Sequence, residues 1–160
     1  MLHVCLGPSY LVTASEVATL QFAREVLDIP VPRVLTWSGA EPNSVNCVGA
    51  DYIIMEEVAG VRLGLRWTNF LHSDEVKPIL TNLLDVEAKF QRLRFSHIGS
   101  LYFKEDVKEL QSFPLFSENK DAHIAQFSEK YRVGPLIDRQ WWRGERAQMD
   151  LDRGPCRCFA

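Results

Sequence analysis

Nowhere does this 160-residue sequence hold the roughly 20 consecutive apolar residues that a membrane-spanning helix needs. Met1–Glu16 contains neither Lys nor Arg. These residues therefore provide neither the basic start of a secretory signal nor the Arg-rich face of a mitochondrial presequence. On its own termini the chain reads as cytosolic. Charge of one sign is also missing: 18 basic against 21 acidic residues leave a formal net charge of -3. That balance gives no bulk attraction to nucleic acid and none to an anionic membrane. Cysteine is scarce, at positions 5, 47, 156 and 158, and the spacing makes no pair of two-cysteine clusters. A structural zinc site is not expected, and free thiols are the default in a reducing compartment. Cys156 and Cys158 form a lone C-x-C beside the terminus, read as a tail without function.

The length suits one domain. With 46% hydrophobic and 24% charged residues the chain is too apolar for disorder and ordinary for a globular protein. There is no internal repeat and no low-complexity segment.

Thr13-Ala14-Ser15-Glu16 has the form of a T-x-x-E capping box, predicting a helix start there. Val17, Leu20, Ala23 and Leu27 continue at helical spacing. The helix must stop near Asp28, because Pro30 and Pro32 lack amide protons and restrict the residues before them. Arg33–Trp37 is a short strand pattern, Gly39–Gly49 a hairpin loop, and Asp51–Glu56 an apolar strand expected to be buried on both faces. Val58-Ala59-Gly60 breaks it. The strongest helix is expected over Asp74–Arg94, with Ser73 as cap and an apolar stripe of Val76, Ile79, Leu80, Leu83, Phe90 and Leu93. Pro78 should shorten or kink its first turn. Gly99 follows, then a strand over Ser100–Phe103; beyond Glu105 the periodicity weakens.

Five segments in order carry a resemblance: T-A-S-E-V-A-T at 13–19, I-P-V-P at 29–32, Y-I-I-M-E-E-V-A-G at 52–60, F-S-H-I-G-S-L-Y-F at 95–103, and W-R-G-E-R-A-Q-M at 142–149. The first three resemble the small lobe of the aminoglycoside phosphotransferase family. The last two are similar to its fungal branch, whose members are called altered inheritance of mitochondria proteins. The resemblance implies an α+β, kinase-like fold, with residues 1–58 as a partial small lobe and 59–160 as the start of a helical large lobe. It also implies ATP and magnesium as ligands, and an association with mitochondria. Glu16 matches the glutamate that pairs with a phosphate-gripping lysine. Met55 would line the adenine pocket, and Glu56, Glu57 and Val58 would be the hinge, acting through its backbone. Glu16 equally suits a capping role, and Met55 equally suits a core side chain.

The same resemblance sets requirements that the residues do not meet. The gripping lysine should precede Glu16, yet the first lysine in the sequence is Lys77. The family's catalytic loop, H-G-D-x-x-x-x-N, has no match. His72-Ser73-Asp74 is the nearest, but five positions on from Asp74 stands Ile79. Asp138, Asp150 and Asp152 precede the place where that loop would come, and the Arg143–Arg146 cluster reads as solvated surface. The expectation is a fragment cut at both ends and without catalytic residues. The alternative is a non-catalytic interaction or scaffold protein.

Overall fold

A computed structural model describes residues 9–39, 48–70, 74, 76–117 and 122–157. Cys5, Cys47, Cys158, His72 and the Ser73 cap lie outside the described residues. The chain is mixed helix and sheet, with small antiparallel sheets. It divides into two compact units, residues 1–56 with 94–160, and residues 57–93.

The first unit is built around helix α1, Ser9–Glu25. The helix starts one turn before the expected capping box, so Thr13 lies inside it and is buried. The reason is the apolar face: Leu11 and Ala14 extend the stripe of Val17, Ala18 and Phe22 upstream, and all five are buried. Lengthening a formed helix is far easier than nucleating one, so the stripe overrides the local cap signal. At the other end Asp28 takes a left-handed φ of 49° just ahead of Pro30.

Two strands follow α1. Strand β1, Val34–Ser38, pairs antiparallel with β2, Tyr52–Met55, placing Val34 opposite Met55 and Ser38 opposite Tyr52. Both pack against α1. Contrary to expectation β2 is not buried on both faces: Ile54 is half exposed, and so is Leu35 across the pair. A two-stranded sheet with α1 on it has only one covered face.

Helix α1 also meets a three-stranded antiparallel sheet. Its order is β4 (Ser100–Phe103), β6 (Tyr131–Gly134) and β5 (Phe113–Pro114), with β6 in the middle. Leu101 lies opposite Val133, and Val133 opposite Phe113. The core sits between helix and sheet. Phe22 meets Tyr131 edge-on at 5.4 Å between ring centres and lies beside Phe95 and Phe116, which stack at 5.7 Å. Leu11, Ala14, Tyr102 and Val107 form a second buried cluster, flanked by Trp37 and Ile137.

Residues 154–157 are packed onto the first unit. Strand β7, Cys156–Arg157, pairs antiparallel with β3, His97–Ile98, behind a buried Gly154 and Pro155. A short helix α4, Ala122–Ala125, precedes β6.

The second unit holds α2, Leu63–Phe70, and α3, Val76–Gln91. No sequence signal predicts α2, which has only eight residues. In α3 the helix begins at Val76, which makes Pro78 its third residue. The first four amides of a helix have no intrahelical acceptor, so proline costs no hydrogen bond there. No residue of α3 is buried.

Candidate functional site

The expected site residues fall at two places. Glu16 projects from the middle of α1, is exposed, and makes no ion pair among the described residues. Met55, 39% exposed, ends β2, and Glu56, Glu57 and Val58 continue in irregular extended chain.

Glu56 is tied to Arg33 in three ways. Its amide donates to the Arg33 carbonyl at 2.9 Å. Its carboxylate accepts the Arg33 amide at 3.0 Å, and it pairs with the Arg33 guanidinium at 3.0 Å. The hydrogen bond from the Arg33 amide, with the guanidinium charge beside it, holds the Glu56 carboxyl below the usual carboxylate range. These bonds continue the β1–β2 ladder by one residue, so Glu56 serves the end of the sheet. Its amide is already used.

Glu57 and Val58 differ. Both are exposed, and among the described residues neither makes a hydrogen bond through its backbone. A free N–H and a free C=O are what Glu57 and Val58 offer a ligand. No group of three or more His, Cys, Asp or Glu side chains suited to a metal occurs among the described residues. Asp138, which precedes the place expected for the catalytic loop, accepts the Gln140 amide at 3.0 Å. Likewise Asp152 accepts the Gly154 amide at 2.9 Å.

Two polar clusters escaped the sequence reading. At the end of α1, Glu25 accepts from Lys130 at 2.6 Å, from Gln21 at 2.6 Å and from the Tyr131 hydroxyl at 3.2 Å. Burial alone would raise the Glu25 pKa; the hydrogen bonds from Lys130 and Gln21, with the Lys130 charge, outweigh it and hold the group below its ordinary value. Burial and the Glu25 charge push the Tyr131 phenol up. No local spacing signals a pair separated by 105 residues.

The second cluster centres on Arg153. Its guanidinium lies over the Trp142 ring, 4.1 Å from the ring centre. It donates to the carbonyls of Trp141, Arg146 and Met149. Trp142 in turn donates its indole N–H to the Leu136 carbonyl at 2.7 Å. The mixed-charge run after the tryptophan pair is thus folded around Arg153.

Comparison with known proteins gives relatives in fungi. A subtelomeric hrmA-associated cluster protein of Aspergillus fumigatus is 42% identical over 151 residues, covering 94% of this chain and 26% of the relative. Altered inheritance of mitochondria protein 9, mitochondrial, of Candida albicans is 34% identical over 151 residues, covering 88% of this chain and 23% of the relative. The Kluyveromyces lactis protein of the same name is 28% identical over 146 residues. These fungal proteins are homologues of the chain. The chain spans about a quarter of the length of these relatives. No family model matches it, so the wider likeness to aminoglycoside phosphotransferases gains no support there. No solved structure matches it either.

Proposed function

We propose that this chain is the adenine-binding segment of a kinase-like phosphotransferase and that, by itself, it does not transfer phosphate. The observation that carries this reading is the open backbone of Glu57 and Val58 directly after exposed Met55. Adenine presents a donor beside an acceptor on one edge, and a free carbonyl next to a free amide complements that pair. The Met55 thioether supplies an adaptable apolar contact for the ring face. The element order in front of it, helix then antiparallel hairpin running into this segment, is the order the resemblance implies for a kinase-like small lobe.

The phosphate end of the ligand does not fit equally well. Positioning and charge neutralisation carry phosphoryl transfer. Yet no lysine precedes Lys77, Glu16 stands without a cationic partner among the described residues, and the described residues hold no metal-binding group. Adenine recognition is the activity we assign to these residues.

Amide NMR on labelled chain titrated with ADP, ATP and GTP tests the reading. Adenine nucleotides should shift the Glu57 and Val58 amides and the Met55 methyl, with GTP far weaker. Val58→Pro, which removes one donor without altering any charge, should abolish the shifts. Unmoved resonances at 55–58 would sink the reading, as would label transfer from ATP to the chain or an added acceptor.

A second reading, an interaction protein associated with mitochondria, is favoured by apolar exposure in the 57–93 unit. Val58, Leu65, Leu83 and Leu84 are each more than 60% exposed; Leu83 and Leu84 lie side by side on α3, and contiguous apolar exposure marks association surfaces. Two relatives carry mitochondria in their names. Fractionation of tagged chain from fungal cells checks it; recovery in the soluble fraction alone counts against it.

A further inference from the structure

Side chains along one face of α3 follow a pattern. Val76, which is half-buried, and the exposed Leu80, Leu83, Glu87 and Phe90 are separated by alternating steps of four and three residues. That is the 3.5-residue repeat of a helix seam that packs along another helix. Leu80 is 46% exposed, Leu83 61% and Phe90 42%, with Leu84 on the flank at 63%. A solvated helix face of this composition lacks its partner.

One charge interrupts the seam. Glu87 is exposed, and its hydrogen bond from Gln91 is long at 3.3 Å. Lys77 flanks the opposite end of the strip, also exposed. At 1.5 Å per residue it lies roughly 15 Å along the axis from Glu87, beyond reach of that carboxylate on its own helix. Across an antiparallel pair of α3 helices the two charges become complementary. When Leu80 is set against the partner's Leu83, Val76 falls opposite the partner's Glu87, and Lys77 comes alongside that carboxylate. Two-fold symmetry repeats the pair at the other end, and opposed helix dipoles favour the same direction.

We propose that α3 is a self-association helix, pairing antiparallel with α3 of a second copy through Leu80 and Leu83, with Lys77–Glu87 ion pairs setting the register. The proposal names the occupant of the apolar face in the interaction reading and rests on that reading; it is independent of adenine binding. The strip is shorter than a standard interface of about 800 Å² per partner, so the dimer is weak and depends on concentration.

Sedimentation equilibrium of the whole chain over roughly 5–200 μM tests it. A monomer–dimer equilibrium is expected, abolished by Leu83→Glu with the circular dichroism spectrum unchanged. Lys77→Glu and Glu87→Lys should each weaken the dimer about tenfold by placing like charges together. The double swap K77E with E87K should return it to near the starting affinity. Because all three positions are solvent-exposed, loss of fold is not the expected cause of any change. A monomer across the whole range overturns the proposal, as does a dimer indifferent to L83E or a swap that fails to restore. Mitochondrial recovery of a monomeric L83E chain would leave the interaction reading standing while removing the self-association.

Discussion

Lys130 Nζ lies 2.6 Å from Glu25 Oε2, joining the last turn of α1 to the start of β6 across 105 residues of chain. The pair is part-buried, with side-chain exposures of 37% and 31%, and the Tyr131 hydroxyl also donates to Glu25. Glu25 is held below its ordinary pKa, so folding favours its charged form. A depressed carboxylate contributes stability that is fully present above the unfolded value, near 4.5, and is lost as pH falls through the folded value. Glu25→Gln should cost about 1 kcal/mol at neutral pH, a figure already reduced for solvent screening. The gap between wild type and E25Q in thermal melts should stay constant at neutral pH and narrow below the unfolded value. A gap independent of pH down to strongly acid conditions would show that the charge contributes nothing.

Tyr102 has no exposed surface, and its hydroxyl donates to the Pro135 carbonyl at 2.8 Å. Burial pushes the phenol pKa up, so the hydroxyl stays a donor throughout the working range. Tyr102→Phe keeps the ring packing and leaves the Pro135 carbonyl without that donor. The expected loss is about 1–2 kcal/mol, read as a lower denaturant midpoint with an unchanged slope. A neutral result would mean that water replaces the hydroxyl.

The elements written in local period were legible in the sequence. The stripe of α1, the β1–β2 hairpin, the strand at Ser100–Phe103 and the apolar stripe of α3 all rest on spacing that one element shows by itself. What escaped depends on distant partners. Strands β5 and β7 are two residues each and carry no period; each exists because β6 or β3 lies beside it. Helix α2 has only eight residues and begins beside the Val58-Ala59-Gly60 break, which hides its start. The T-x-x-E signal misplaced the start of α1 because an apolar turn before it outweighed the cap. At the candidate site, Met55 to Val58 could be placed at a strand end from the apolar run alone. That the Glu56 amide is consumed by Arg33, leaving Glu57 and Val58 open, required the register of the hairpin.

Gly134 ends β6 where the chain runs against Tyr102. A Cβ built there would lie 2.8 Å from the Tyr102 ring, and that ring is fixed by its hydroxyl bond to Pro135. Gly134→Ala therefore has no side chain free to yield. Overpacking of this kind costs about 1–3 kcal/mol. The double variant with Tyr102→Leu should recover part of that cost, because the clash and its neighbour are removed together. Equal stability of G134A and wild type would place the strain elsewhere.

Arg153 should be irreplaceable by lysine. Its planar guanidinium covers Trp142 at 4.1 Å while donating to three carbonyls on the loop from Trp141 to Met149. A lysine ammonium keeps the charge but can neither stack nor reach three separated acceptors from one plane. Arg153→Lys should therefore behave almost like Arg153→Ala: faster amide exchange over residues 139–149, altered tryptophan emission, and a stability loss of about 1–3 kcal/mol. The Leu136–Arg153 backbone bond, at 2.8 Å, is made by main-chain atoms and is common to both variants. A difference between lysine and alanine would thus report on what lysine keeps, its charge and its alkyl stem. If R153K retains full protection of 139–149, charge and not the fork of the guanidinium organises this loop.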